Sequence, residues 1–245
     1  MPKPTISIVT VVYNGEKLLE KTILSIVNQS YKNIEYLVVN GASTDGTQQL
    51  MQTYSHKISY QVSEPDAGIY HAMNKALRAA TGDFVWFINA GDQIYSPDTL
   101  AQIFDNEKAL ADIYYGEAVV INQNDEVLGY RKHRPPAALH ARSLRRGMVV
   151  SHQAFIVRRS LAPLYDLQYR ICADVDWVIN CLNATKNVRN TNAVLAKFLE
   201  AGVSQKKYRL AWQERYNVLK KHYGVAANLY NHFFIALNYL AKKRF

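Results

Sequence analysis

Four polar clusters sit where strand-like apolar runs stop: Tyr13-Asn14, residues 40–47, residues 63–68 and residues 89–92. Amides, hydroxyls, carboxylates and bare glycine backbone are the groups that hold a polar ligand. In open parallel sheets such ligands gather at the carboxyl ends of the strands. Loops at strand ends are often polar merely because they turn, so this pattern alone defines a ligand-binding α/β domain. A later segment, Ile171-Cys172-Ala173-Asp174-Val175-Asp176-Trp177, sets two carboxylates at the head of a helical pattern, and His152-Gln153 follows the apolar Met148-Val149-Val150.

The elements that must position these groups follow from periodicity. Ile6–Val12 is a continuous apolar, β-branched run, as expected of a strand buried on both faces. Leu18, Leu19, Thr22, Ile23, Ile26 and Val27 then recur at helical spacing. Strands are expected at 34–39, near 58–62 and at 84–88, with helices to about Tyr54 and over 69–80. Ser96-Pro97-Asp98 reads as a helix start with proline at the first position. This alternation predicts a Rossmann-like, mainly parallel sheet flanked by helices. Beyond residue 110 it breaks down, leaving strands at 112–121 and 154–157 and a short helix at 175–182. Residues 208–223 and 226–241 predict two amphipathic helices. The second is interrupted by Asn228, Asn231, His232 and Asn238, and so is no membrane span.

The chain of 245 residues, 49% apolar, suits one domain with an appendage. Its net charge of +9 is unevenly placed. Residues 1–130 hold 8 Lys/Arg and 15 Asp/Glu, net −7, whereas residues 131–245 hold 21 and 5, net +16. No acid lies between Glu126 and Asp166, and Glu214 is the one acid from Ser204 onward. A basic field attracts phosphate, whether on a nucleotide, a lipid headgroup or nucleic acid. The nucleic-acid class is disfavoured because no motif of that class occurs and no basic–aromatic surface precedes residue 206. Cys172 and Cys181 lack metal-ligand spacing and fit a reducing, cytoplasmic setting, and no signal-peptide pattern is visible.

Five segments occurring in order resemble the family 2 glycosyltransferases, inverting enzymes of the GT-A fold. They are residues 6–14, Ser-Thr-Asp-Gly-Thr at 43–47, Ser-Glu-Pro-Asp-Ala-Gly-Ile-Tyr-His-Ala-Met-Asn-Lys at 63–75, Ala-Thr-Gly-Asp-Phe at 80–84 and Phe-Ile-Asn-Ala-Gly-Asp at 87–92. The Asn-Ala-Gly-Asp variant, with His152-Gln153 and residues 198–204, is similar to the subgroup that builds bacterial exopolysaccharides such as colanic acid. The likeness spans roughly residues 5–205. It implies a GT-A domain over 1–205, with a nucleotide half at 1–110, an acceptor half at 111–205, and a basic helical tail at 206–245.

The resemblance also implies roles. A divalent cation, Mg²⁺ or Mn²⁺, would be held by Asp92, the one carboxylate left in the acidic motif, while nucleotide phosphate and water complete its shell. Asn89, Ala90 and Gly91 would line the donor. Tyr13 and Asn14 match the family's nucleotide contacts, and Asn40 stands where a base-binding aspartate is usual. Asp66, Gly68, Asn74 and Lys75 would face the nucleotide-diphosphate sugar, and His152 would contact donor or acceptor. Asp174 matches the general base, with Asp176 as runner-up. The implied acceptor is a saccharide or a polyprenyl-diphosphate-linked sugar. Apart from the resemblance, the charge and amphipathic faces of the tail fit docking on an anionic membrane surface at the inner face of the cytoplasmic membrane, with packing on the core or on a second subunit as the alternatives. Two other classes compete. A nucleotidyltransferase would carry a glycine-rich loop where only Gly15 stands, and a non-catalytic nucleotide-sugar binder would not need both Asp92 and Asp174.

Overall fold

In a strand covered on both faces, every side chain must find a core. In β1 (Ile6–Val12), Val9 and Val11 enter one buried cluster while Ile6, Ile8 and Val12 enter another. The computed structural model describes residues 3–105, 107, 109–200 and 208–242. Around β1 it places β2 (Ile34–Asn40), β3 (Tyr60–Ser63) and β4 (Phe84–Phe87), all parallel, in the order β3-β2-β1-β4. The carboxyl ends of these four strands carry the four polar clusters.

The sheet then continues with reversed strands. β8 (Phe155–Arg158) runs antiparallel to both β4 and β6 (Ile113–Ile121). β9 (Val188–Leu199) is parallel to β6, and β5 (Gln93–Ile94) and β7 (Val127–Tyr130) pair antiparallel with β9 and β6. The twelve-residue β9 has no counterpart among the expected strands. Its polar Asn190-Thr191-Asn192 stretch, with Asn192 at φ 52°, masks the alternation, and the register against β6 shifts there.

Helices α1 (Glu16–Val27), α2 (Thr47–Thr53), α3 (Ile69–Ala79), α4 (Thr99–Phe104) and α5 (Ala173–Ala184) flank the sheet. α4 begins at Thr99 rather than at Pro97. The Thr99 hydroxyl accepts the Ser96 N–H at 3.0 Å, so the proline lies in the preceding turn.

Helix α6 (Tyr208–Tyr223) buries Val218 and Leu219 in the same core as α5, and α7 (Val225–Lys242) packs against α6. Of the expected tail, residues 206–207 and 243–245, including Lys243 and Arg244, lie outside the described residues, as do residues 201–204 of the segment beginning at Phe198.

Candidate active site

The ends of β1, β2 and β3 meet around Gly41. A Cβ on Gly41 would lie 2.7 Å from an Asp66 carboxylate oxygen and 3.4 Å from the Tyr13 ring, so only glycine lets these two side chains flank the position. Tyr13 is 68% exposed and free to cover a ligand. Asn14 adopts φ 48°, and its amide oxygen accepts the Thr44 N–H at 2.9 Å. The other Asp66 oxygen accepts the Gly68 N–H at 2.9 Å and turns the chain into α3.

Asn40 is fully buried, and all its polar groups are engaged: its amide donates to Ser63 and Gln48 while its oxygen accepts from Ser43. It shapes the 40–47 loop instead of presenting an edge to a base. Asp45 likewise holds Thr47 and the Glu16 N–H.

After β4 the chain turns through Asn89, Ala90 and Gly91. Gly91 has φ 99°, and a Cβ there would stand 2.9 Å from the Leu199 side chain. The turn delivers Asp92 inward, 5% exposed. One Asp92 oxygen accepts the Leu199 N–H at 3.0 Å and the other accepts the Gln153 side-chain amide at 2.8 Å. Burial pushes this carboxyl up to about 7, against the opposing pull of those two donors and of Arg131.

These residues do not fit a divalent cation held by protein ligands alone. Each oxygen of Asp92 already accepts one hydrogen bond within the protein, and Gly91 has no side chain to offer. Among the described residues no group of three His, Cys, Asp or Glu could hold a metal. Among the described residues the Asn89 amide oxygen is buried without a partner in this turn. Asp92 joins the β4 loop to the turn just before β8 and to the end of β9, a role that a motif alone does not reveal.

Asp174 lies in the first turn of α5, where the helix dipole favours an anion. The helix is capped from Cys172, so Asp174 is not its N-cap. One carboxylate oxygen accepts the Val175 N–H at 2.9 Å and the Tyr70 hydroxyl at 3.2 Å. Among the described residues nothing donates to the other oxygen, and the side chain is half-buried. Burial raises its pKa, opposed by those hydrogen bonds and by Arg131. A carboxylate pinned on one oxygen, open on the other and made more basic is suited to accept a proton.

Tyr70 also donates to the Ile171 carbonyl at 2.6 Å, tying α3 to the loop before α5. From the other side, the Glu214 carboxylate accepts three backbone N–H groups of that loop: Arg170 at 2.9 Å, Ile171 at 2.8 Å and Cys172 at 3.0 Å. Glu214 is 5% exposed, so α6 supports the loop that presents Asp174.

Asp176, two residues on, faces away from this opening. Its buried carboxylate accepts His222 at 2.7 Å and forms an ion pair with Lys221 at 3.0 Å. Burial works against its ionisation, but these partners prevail and hold its pKa below the ordinary value. Asp176 therefore fastens α6 to α5.

Asn74 makes reciprocal bonds with the Tyr165 backbone at 2.9 and 2.7 Å. The Lys75 ammonium is held by the Pro65 carbonyl and Glu64, both at 2.9 Å, rather than turned toward a phosphate. His152 is 7% exposed, bonds Tyr165 at 2.7 Å and packs among Phe87, Tyr165 and Trp177. Burial drops its pKa to about 4, so it is a neutral core histidine at physiological pH.

Sequence reasoning missed Tyr70, Gln153, Glu214 and Arg131. Arg131 follows β7, and its guanidinium lies 5.7 Å from the Phe198 ring centroid, next to the Leu199 that holds Asp92. A sequence signal existed for two of them: Arg131 opens the acid-free basic stretch, and Glu214 is the lone acid of the basic tail.

Four parallel strands continued by antiparallel ones, with polar loops converging at the parallel ends, form a mixed α/β nucleotide-binding type of fold, the architecture expected of a GT-A domain. The chain belongs to glycosyl transferase family 2, whose profile matches residues 7–162. A PGL/p-HBAD biosynthesis glycosyltransferase of Mycobacterium bovis is 30% identical over 211 residues, covering 82% of this chain and 79% of that protein. The fold is similar to S. aureus TarS 1–349 in complex with UDP, with TM-score 0.64 and 17% identity over 89% of this chain and 70% of that one. It is also similar to the mannosyltransferase PcManGT from Pyrobaculum calidifontis in complex with GDP-Man and Mn²⁺, with TM-score 0.60 and 21% identity over 87% of this chain and 61% of that one.

Proposed function

We propose that this glycosyltransferase inverts the anomeric centre as it moves a sugar from a UDP-sugar to a saccharide or polyprenyl-diphosphate-linked acceptor in bacterial surface-polysaccharide synthesis. The observation that carries the mechanism is Asp174: one oxygen fixed by Tyr70 and Val175, the other open, at the head of a helix. The acceptor oxygen attacks C1 and passes its proton to the open Asp174 oxygen. The C1–O bond to the diphosphate breaks, and its electron pair stays on the departing phosphate oxygen. Tyr13, Asn14, Asp66 and Gly68 line the donor end, with Asn89, Ala90 and Gly91 at the turn toward the diphosphate. A divalent ion supplies charge neutralisation at a diphosphate when bound there. Here it would rest on the nucleotide and water, with the Asn89 amide oxygen a side-chain acceptor of the turn that has no partner among the described residues.

In this proposal residues 1–110 serve the donor, 111–205 the acceptor, and 206–245 both brace Asp174 and reach a membrane. The last point is supported by an inverted helix. On α7, Asn228 and Asn231 are buried while Leu229, Tyr230 and Phe233 are 55–62% exposed. Arg146 stacks on Phe234 at 5.1 Å, adding positive charge beside this apolar face. Such a surface suits anionic lipid headgroups over an apolar layer. Among the described residues no helix is long and apolar enough to cross a membrane.

The deciding experiment measures UDP release from UDP-sugars with a lipid-linked acceptor extract, comparing wild type with Asp174→Asn. Acceptor-dependent release that the variant loses supports the mechanism, and equal release from both would remove Asp174 as base.

A further inference from the structure

The acidic turn provides no free carboxylate, yet a departing diphosphate still has to be met by positive charge. Each Asp92 oxygen already accepts a hydrogen bond, one from Leu199 and one from Gln153, and Gly91 occupies the middle of the turn. The cation that does reach this place is Arg131. Its backbone N–H donates to the Ala118 carbonyl at 3.3 Å, which roots it at the end of β7 beside β6. Its guanidinium lies against Phe198, one residue from the Asp92–Leu199 bond. Asp174 and Asp92 both favour its charged form, so its charge is felt at the base and at the acidic turn alike. Among the described residues no hydrogen bond or ion pair engages the guanidinium, although the neighbouring Arg134 is paired with Glu117 at 2.7 Å.

A largely desolvated guanidinium with its N–H fork unengaged is costly in a resting protein. That cost is offset once a diphosphate enters, because the planar fork can donate two parallel N–H bonds to a pair of anionic phosphate oxygens. Burial lowers the pKa of Arg131, yet arginine stays protonated throughout the physiological range.

We propose that Arg131 is the residue that binds the donor's diphosphate and takes up its developing charge, filling the role of a protein-held metal ion. When the C1–O bond breaks, the electron pair settles on the phosphate oxygen facing this fork, while the acceptor proton moves to Asp174. The proposal rests on the glycosyltransferase assignment and deepens it by naming the diphosphate contact.

The test is calorimetric titration of the full chain with UDP, GDP and uridine, each with EDTA and with Mn²⁺. Wild type should bind a nucleoside diphosphate in EDTA, within about fivefold of its affinity in Mn²⁺. Arg131→Met should weaken that binding at least tenfold, Arg131→Lys should restore part of it, and uridine binding should be the same in all three. Arg131→Met should melt no lower than wild type, since it removes an unpaired desolvated charge. Unchanged diphosphate binding by Arg131→Met, or wild-type binding that appears only with Mn²⁺, overturns the proposal while leaving the donor assignment intact. If wild type binds neither diphosphate under either condition, the donor assignment fails together with it.

Discussion

Replacing Glu214 with alanine removes a carboxylate that lies 40 residues from Asp174 in sequence and holds the loop two residues ahead of it. Three backbone N–H groups lose a charged acceptor, at separations of 2.8 to 3.0 Å. A hydrogen bond to a charged group contributes roughly 1.5–3 kcal/mol, but the three are not additive. Arg170 is exposed and Ile171 partly so, and water can re-solvate their amides, whereas Cys172 is buried. The expected loss is therefore that of one to two buried donors, about 2–4 kcal/mol. For a chain of this size each kcal/mol moves the melting temperature by roughly 2–4 °C, giving a fall of about 5–15 °C with the fold retained. The released loop also carries the Ile171 carbonyl that anchors Tyr70, and so the hydrogen bond that fixes Asp174. A displacement of the base of the order of 1 Å costs about 10²-fold in rate. The variant should thus lose about two orders of magnitude in kcat while its donor KM changes only a few-fold, because the donor loops lie on other strands. Glu214→Gln, which keeps one acceptor oxygen, should fall between. Steady-state kinetics with a thermal melt measures both effects. A Glu214→Ala enzyme with wild-type kcat would refute the idea that α6 positions the base.

Asp174→Asn should keep UDP affinity and lower transfer by about 10²–10⁴-fold, measured as turnover beside a binding titration. Because burial raises the Asp174 pKa and only the ionised form accepts a proton, activity should disappear as pH falls through a limb above the ordinary carboxylate value of about 4. A kcat/KM profile flat to pH 4 would contradict this. Asp176→Asn should behave differently: it removes a buried ion-pair partner, lowers the melting temperature by several degrees, and leaves the acid limb of kcat/KM in place. Since the Asp176 pKa is depressed, its stabilisation is full above about pH 4 and is lost only as pH falls through that depressed value, a trend that melts across acid pH would show. For the membrane face, Leu229→Ser with Phe233→Ser should abolish flotation on anionic vesicles without altering UDP binding. Equal flotation of wild type on anionic and neutral vesicles would remove the electrostatic part of the proposal.

Local pattern was enough for the donor half of the fold. The run Ile6–Val12 and its repeats at 34–40 and 84–87 are apolar on both faces, which only a helix-covered parallel strand satisfies, and their polar ends then had to gather on one edge. The open carboxylate at Asp174 could be located for a similar reason, because it heads a regular helix. Tertiary contacts decided what could not be seen in spacing: which polar groups are already satisfied. Asn40, Asn74, Lys75, His152 and Asp92 have the right chemical types for a ligand, yet each is engaged by partners brought by the fold from other segments, as the Leu199–Asp92 bond across 107 positions illustrates. The converse holds for Arg131 and Glu214, which look like surface charges in the sequence. Among the described residues no hydrogen bond or ion pair engages the first, and the second is enclosed by three N–H groups, because folding places β7 and α6 against the site. A hydrogen bond depends on distance and direction in space, and the order of residues along the chain constrains these only within one element.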